Sequence, residues 1–154
     1  MTDYTGASAR TTRYLYAGDR IIEELDGDNN LRASYVYGQY VDEVLQMRRD
    51  TDAGTAGMED HYYLHDDLYN VLALADGGGN VLERYAYGDY GAPTIANAAG
   101  APHVDSDRSN YRNPFLFNGR QYDETTGFYY YRTRYMEPLM GRFISRDTIV
   151  VCPL

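Results

Sequence analysis

The sequence of 154 residues contains no tryptophan and no lysine, so all 14 basic residues are arginine. Its single cysteine, Cys152, excludes an internal disulfide and a cysteine-rich zinc site. No stretch approaches the roughly 18 apolar residues that suggest a membrane-spanning helix. The first residues also lack the apolar core of a secretory signal peptide. We therefore expect no membrane span and no signal peptide in this chain.

Positive charge is scarce as well. The chain carries 23 acidic residues against its 14 arginines, which gives a net charge of −9. Proteins that bind nucleic acid gain most of their affinity by neutralising phosphates with basic groups. The charge therefore argues against a nucleic-acid partner.

Tyrosine is abundant, with 18 residues in the chain, and it makes up much of the 44% hydrophobic content. Its side chain combines a large apolar ring with a polar tip, which suits β-sheets that are partly exposed to water or packed against other sheets. The composition predicts an all-β protein in which tyrosine supplies much of the packing.

A repeat with a spacing of 50 residues indicates how the strands are organised. Residues 26–40 align with residues 76–90 without a gap, and seven positions are identical. The identical residues of the first copy are Asp26, Gly27, Asn30, Tyr35, Tyr37, Gly38 and Tyr40. Matches at turn and aromatic positions are typical of repeated supersecondary units.

Each copy has the parts of a β-hairpin, because Asp-Gly and Gly-Asn steps favour tight turns between two strand-like stretches. The predicted strands are 20–25, 31–37, 70–75 and 81–87, with turns at 26–30 and 76–80. Residues 40–49 fit a strand or a short helix, and the surrounding strands favour a strand. Residues 50–60 and 94–112 are predicted loops, since they are rich in small and polar residues.

The run from residue 113 to residue 149 concentrates aromatic residues, arginines and glycine turns. We predict strands at 116–122, 128–135 and 142–145, with turns at 123–127 and 136–141. A single strand over 128–135 would place Tyr129, Tyr131 and Tyr135 on one face and Tyr130, Arg132 and Arg134 on the other. Both faces of this strand would then need packing partners.

The arginines of this run have two interpretations. As structural residues, Arg120, Arg132, Arg134 and Arg142 would stack on aromatic rings and pair with Asp123, Glu124 or Glu137 across the sheet. As a binding groove for a sugar or an anion, the run would offer Tyr129, Tyr131, Arg132 and Arg134 as ligand contacts. We favour the structural interpretation.

Two histidines, His61 and His65, lie beside several aspartates. A helix would align them on one face as metal ligands, but this region has the pattern of a strand entry and lacks the zinc-protease motif. We therefore interpret them as a solvated polar edge and predict no metal site and no cofactor. Asp147 is the only weak candidate for a catalytic residue, since it follows a predicted strand end.

On these residues the chain resembles the RHS/YD-repeat family, and residues 113–149 resemble its RHS repeat-associated core. The features that match are the Asn113-Pro114-Phe115 opening, Gly119, the turn from Tyr122 to Gly127, the tyrosine-rich strand, Pro138, and the block Gly141-Arg142-Phe143-Ile144-Ser145 with Asp147. Met136 and Glu137 stand where the family usually has Tyr and Asp. The repeats upstream resemble weaker YD-type units.

The resemblance implies a β-shell of antiparallel hairpins that encloses a variable C-terminal toxin. It also implies a bacterial protein that is secreted, or delivered by a secretion system, as part of a larger chain. In the family an aspartate autoprotease follows the core and releases the toxin, and Asp147 resembles the start of that region. The family pattern continues past Ile149, so we expect a truncated segment without the toxin and without a complete protease.

We accordingly divide the chain into an N-terminal tail (1–13), two YD-type hairpin repeats (14–93), a loop (94–112), the core segment (113–149) and a C-terminal tail (150–154). The favoured function is a non-catalytic piece of the shell wall. Its partners would be the rest of the shell, the enclosed toxin, and further copies that associate through exposed strand edges. A module that binds carbohydrate or a cell surface is the first alternative, and an autoprotease remnant is the second.

Overall fold

The computed structural model describes residues 2–3, 10–50 and 57–147. These residues form fourteen antiparallel strands and no α-helix, which confirms the predicted all-β class. The strands are β1 (Thr2–Asp3), β2 (Arg10–Thr11), β3 (Arg13–Ala17), β4 (Arg20–Leu25), β5 (Leu31–Tyr37), β6 (Val44–Asp50), β7 (Met58–His65), β8 (Val71–Ala75), β9 (Val81–Tyr87), β10 (Pro93–Asn97), β11 (Gln121–Asp123), β12 (Phe128–Tyr131), β13 (Arg134–Glu137) and β14 (Arg142–Phe143).

Strands β3 to β10 form one eight-stranded sheet in which every strand pairs with its neighbours in sequence. Alternation of side chains explains why this sheet has two different faces. In β5, Ala33 and Tyr35 are buried, whereas Val36, which follows Tyr35, is exposed. In β9, Glu83 and Tyr85 are buried in the same way. We call the buried side the inner face.

Aspartates shape three of the hairpin turns in the same manner. The Asp26 Oδ1 accepts hydrogen bonds from the backbone N–H groups of Asp28 and Asn30, both at 2.9 Å. Asp66 and Asp76 make the equivalent bonds two and four residues further along. Such Asx turns replace backbone bonds that the strands cannot make at their ends. The sequence repeat predicted two of these turns and missed the one at Asp66.

The 50-residue repeat also appears as a repeated tertiary contact. The Tyr37 hydroxyl donates to the carbonyl of Ile21 at 2.8 Å, and the Tyr87 hydroxyl donates to the carbonyl of Val71 at 2.7 Å. Each tyrosine therefore ties the two strands of its own hairpin together, β5 to β4 in the first copy and β9 to β8 in the second. The polar tip of tyrosine, which leucine or phenylalanine lacks, makes this contact possible.

The C-terminal segment corrects two strand predictions. Residues 116–120 were predicted to be extended, but Phe117–Gly119 forms a 3₁₀ turn and the strand begins only at Gln121. The predicted strand 128–135 is two strands, because Arg132 adopts φ 61° and the chain reverses there. Tyr135 consequently pairs with Tyr130 and shares its face, and Tyr129 pairs with Met136.

Strands β11 to β14 form a second, four-stranded sheet, and residues 113–143 cover the inner face of the first sheet. The Phe115 ring meets the Tyr35 ring edge to face at 4.9 Å. The Tyr63 hydroxyl donates to the Asn113 Oδ1 at 2.7 Å, and the Val71 N–H donates to the carbonyl of Leu116 at 3.2 Å. The core of the molecule lies between the large sheet and this cover.

The two edges of the large sheet differ. Residues 94–112 were predicted to be a loop, whereas Pro93–Asn97 forms β10 and the chain then turns back along its outer side. There the Ile95 N–H donates to the Ser106 carbonyl at 2.5 Å, and the His103 N–H donates to the Ile95 carbonyl at 3.0 Å. At the opposite edge, no strand of the described residues pairs with the outer side of β3.

Several remaining predictions concern the ends and connections of the chain. Residues 40–49, where a helix was the alternative, contain β6, and β7 begins inside the predicted loop 50–60. Within the predicted tail 1–13, β1 pairs with β2. The predicted tail 150–154 with Cys152 lies outside the described residues. In the part of the chain that is described, no helix is long and apolar enough to cross a membrane.

Candidate functional site

Two arginines of the C-terminal segment meet one aspartate of the large sheet, and we call Asp42, Arg120 and Arg132 the arginine–aspartate cluster. The Arg120 Nη2 lies 3.0 Å from the Asp42 Oδ2, and the Arg132 Nη2 lies 2.6 Å from the Asp42 Oδ1. The Asp42 side chain is 9% exposed and the Arg132 side chain 31% exposed. One carboxylate is thus shared by two guanidinium groups at the junction of the two sheets.

Local backbone geometry positions all three side chains. Asp42 lies in the turn between β5 and β6, which the Gly38 N–H closes by donating to the Glu43 carbonyl at 2.8 Å. Arg120 follows the 3₁₀ turn directly, and Arg132 occupies the tight turn between β12 and β13. A left-handed conformation is uncommon for a residue with a β-carbon. The ion pair with Asp42 helps to hold Arg132 in that conformation.

Of the four arginines predicted to stack on rings, Arg120 and Arg134 do so, while the carboxylate partners of Arg120, Arg132 and Arg134 are Asp42, Asp19 and Asp147 rather than Asp123, Glu124 or Glu137; Glu137 lies opposite Arg142 in the sheet. The Arg120 guanidinium lies over the Tyr131 ring at 4.8 Å, and the Arg134 guanidinium lies over the Phe143 ring at 3.6 Å. Neither Asp123 nor Glu124 pairs with these arginines. Asp123 instead accepts bonds in its own turn from Thr125 and Thr126, and Glu124 accepts the Ser109 N–H.

The predicted binding tyrosines are largely covered. Tyr129 is completely buried, and its hydroxyl donates to the Gly91 carbonyl at 2.8 Å. Burial raises the pKa of the Tyr129 hydroxyl well above its ordinary value. Tyr131 is half-buried between Arg120 and the Phe143 ring, which it meets edge to face at 5.4 Å. Tyr129 offers no surface to a ligand, so this pair does not form the stacking platform that a sugar would need.

Arg134 and Asp147 form a separate, more exposed pair. The Arg134 Nη2 lies 3.5 Å from the Asp147 Oδ2, and the Asp147 side chain is 58% exposed. The structure therefore brings Arg120, Tyr131 and Arg132 together with Asp42, and it leaves Tyr129, Arg134 and Asp147 outside the cluster. Arg142 lies exposed on β14.

Buried carboxylates also lie on the inner face of the sheet, in both repeats. The Glu24 Oε1 accepts the Tyr35 hydroxyl at 2.5 Å, and the Glu24 Oε2 pairs with the Arg49 Nη2 at 2.6 Å. In the second repeat, Glu83 accepts the Tyr85 hydroxyl and the Ser109 hydroxyl. Each carboxylate is satisfied by its neighbours. The Glu24 network joins β4, β5 and β6 within the sheet, and the Glu83 network attaches residues 109–110 to β9.

The histidines do not form the solvated polar edge that the sequence indicated. His61 is 1% exposed, and its ring lies 5.3 Å from the Tyr111 ring. Burial lowers the pKa of both His61 and His65, which favours neutral imidazoles. Within residues 2–3, 10–50 and 57–147, no three histidine, cysteine or acidic side chains are arranged to hold a metal ion.

Sequence reasoning missed Asp42, the residue on which the cluster depends. It lies 90 residues before Arg132, and although Gly38 and Tyr40 of the same turn are repeated, the position of Asp42 is not, since Ala92 stands there in the second copy. The one available signal for such a residue was the excess of arginine over acidic residues in the C-terminal run. That excess indicates an acidic partner elsewhere in the chain, but it does not identify the partner's position.

Comparison with known proteins places this geometry in context. No family model matches the chain. The tRNA3(Ser)-specific nuclease WapA of Bacillus spizizenii is 36% identical over 142 residues, which are 91% of this chain and 5% of WapA. The double-stranded DNA deaminase toxin A of Burkholderia cenocepacia is 27% identical over 92% of this chain and 10% of that protein. The chain thus spans a small fraction of these relatives.

A solved toxin complex provides the structural comparison. The match to the crystal structure of TcdB2-TccC3-Cdc42 covers 95% of this chain and 7% of the chain in that structure. Its TM-score is 0.65 and the sequence identity is 16%. The chain therefore has the fold of part of that complex, which is the RHS-related fold that the sequence predicted. The relatives named as nuclease and toxin fit a toxin-associated segment.

Proposed function

We propose that this chain is a segment of the wall of an RHS-type shell, corresponding to the RHS repeat-associated core, and that the shell encloses a toxin. The segment itself is non-catalytic. It acts as part of a larger bacterial protein that is secreted or delivered by a secretion system. Its partners are the neighbouring wall strands and the enclosed toxin.

The difference between the two sheet edges carries this proposal. At β10 the chain covers its own edge with residues 102–106, through backbone bonds to Ile95. At β3 the backbone groups of the outer side have no strand partner among the described residues. An unpaired edge is a template for another strand. A sheet with one covered edge and one unpaired edge can be extended by further strands on one side only. Such a sheet is suited to form the end of a longer wall of strands.

The environment of Asp147 supports a non-catalytic role. Aspartate proteases need two carboxylates that share a proton, so that one is protonated while the other activates water. The ion pair that Asp147 makes within the described residues is with Arg134. An arginine at this position does not supply the second carboxylate that such a mechanism requires.

Self-association through β3 tests the wall function, because a second copy can supply the missing strand. We expect light scattering to give a mass above 17.5 kDa that grows with concentration. Leu15→Lys places a charge on β3, where lysine is a natural protection of edges, and should restore the monomer. Leu72→Lys makes the same change at an exposed residue of the interior strand β8 and should leave association unchanged. A monomer at all concentrations, or equal effects of the two variants, would contradict the proposal.

Self-cleavage is tested separately. Intact-mass spectrometry of the purified chain over several days, across acidic and neutral pH, should give one unchanged mass. Fragments that appear in the wild type and are absent in Asp147→Asn would instead support the protease alternative.

A further inference from the structure

A groove between the two sheets opens beside the arginine–aspartate cluster. Tyr16 and Tyr37 of the large sheet and Tyr130 of the small sheet line it, together with Arg20 and the cluster itself. The enclosed part is small, about 40 Å³, which is space for a group of a few atoms. Tyr16 at the mouth of the groove is 52% exposed, so the groove is open to solvent.

Positive charge exceeds negative charge in this groove. Its charged groups are three guanidiniums, from Arg20, Arg120 and Arg132, and two carboxylates, from Asp19 and Asp42. Both oxygens of Asp42 are already engaged by the two cluster arginines. Asp19 is 73% exposed and lies 3.9 Å from the Arg132 Nε, so water weakens its attraction. One positive charge is therefore poorly compensated, in a chain whose net charge is −9.

Hydrogen-bond donors are left over as well. The Nε atoms of Arg120 and Arg132 are buried and have no hydrogen-bond partner among the described residues. Arg20 uses its Nη2 on the neutral carbonyls of Gly38 and Gln39, which do not offset its charge. Buried donors without acceptors are costly, and charged donors more so. An anionic acceptor in the groove would compensate the charge that lies beside these donors.

Repulsion between the arginines points the same way. Burial lowers the pKa of Arg120, and the neighbouring Arg132 lowers it further, against the attraction of Asp42. An added negative charge would relieve this repulsion.

We propose that the groove binds a carboxylate anion, held by the guanidinium groups of Arg132 and Arg120. A carboxylate matches the forked donors of arginine and carries the single charge that the groove lacks. Phosphate fits less well, because its charge of about −1.5 to −2 would exceed the deficit beside Asp19 and Asp42. The rings of Tyr37 and Tyr130 offer apolar surface to the organic part of the ligand.

NMR titration of the whole chain tests this site. Sodium acetate, sodium benzoate and sodium phosphate would each be added at constant ionic strength, with sodium chloride as the reference. We expect the Nε–H signals of Arg120 and Arg132 to shift saturably with acetate, with a dissociation constant on the order of 1–10 mM, and benzoate to bind more tightly through the tyrosines. Phosphate should bind at least about tenfold more weakly than benzoate.

Two variants make the test specific. Arg132→Gln leaves Asp42 paired with Arg120, so the chain should stay folded while acetate binding weakens at least about tenfold. Arg142→Gln removes the same charge at an exposed position of β14 and should bind acetate as the wild type does. Asp42→Asn increases the positive excess, so acetate should raise its melting temperature more than that of the wild type.

Three results would overturn the proposal. They are no saturable shift with acetate or benzoate up to 100 mM, equal binding by Arg132→Gln and the wild type, and phosphate binding tighter than that of both carboxylates. None of these results depends on self-association through β3, so the groove and the wall function can fail separately.

Discussion

Gly119 lies against the backbone of Asp42, so closely that a β-carbon on Gly119 would stand 2.1 Å from the Asp42 carbonyl oxygen. Gly119 also adopts φ +63°, a conformation that other residues rarely take. The contact brings the C-terminal segment onto the turn between β5 and β6, where Arg120 then reaches the Asp42 carboxylate. Glycine at this position is therefore a requirement of close packing as well as of backbone conformation.

Replacing Gly119 by alanine should destabilise the chain by about 3 kcal/mol or more, because the β-carbon forces two backbones apart and the positive φ adds strain. Gly18→Ala is the matched control, since Gly18 has the same φ of +63° and open space around it. That control should cost only about 1–2 kcal/mol. Urea unfolding measures both values, and equal losses would show that close packing at Gly119 contributes nothing.

Asp42→Asn should lower the free energy of unfolding by about 2–3 kcal/mol, because it leaves two guanidinium groups without their shared carboxylate. The estimate is below that for a fully buried pair, since the Arg132 side chain is partly exposed. Asp19→Asn removes the more distant, exposed carboxylate and should cost less than about 0.5 kcal/mol. Similar losses in the two variants would argue against a special role of Asp42.

Alkaline pH should unfold the chain through its buried tyrosines. Burial raises the pKa of Tyr14 and of Tyr122 to about 12, and that of Tyr35 and Tyr63 well above the ordinary value of 10.0. A pKa that is higher in the folded chain contributes stability that is complete below pH 10 and is lost as the pH rises through the folded value. Melting temperatures should fall steadily between pH 10 and 12.

Tyrosinate absorbance at 295 nm checks the cause of that fall. If the tyrosines act as described, part of the absorbance should appear only as circular dichroism reports unfolding. Complete ionisation near pH 10 in a chain that remains folded would contradict the assigned burial.

The hairpins could be predicted from the sequence because their signals are local. The observed bounds of β4, β5 and β9 equal the predicted ones, since Asp-Gly and Gly-Asn steps mark the turns and alternating tyrosines mark the strands. The prediction of a single strand after the Gly127 turn was wrong for the same reason, because it also relied on local signals. Residues 128–135 contain no glycine, proline or asparagine, so nothing local announced the reversal at Arg132.

The cluster could not be predicted because its parts are distant in sequence. Asp42 and Arg132 are 90 residues apart, and Gln121 donates to the Tyr14 hydroxyl across 107 residues. Propensity and periodicity describe neighbours along the chain and say nothing about such pairings. Tyr129 was likewise a binding residue in the less favoured interpretation, on its chemistry alone, and only the packing of the cover over the sheet places it in the interior.

Because residues 113–143 cover the inner face, the large sheet and its cover fold in a fixed order. Every strand from β3 to β10 pairs with its sequence neighbour, so the sheet needs only short loops to close and can form quickly. Its cover is synthesised after it. Until residues 113–143 have left the ribosome, the Tyr35 ring lacks its contact with Phe115 and the Tyr63 hydroxyl lacks its bond to Asn113. The nascent chain is therefore most vulnerable to aggregation in the interval before residue 143 emerges.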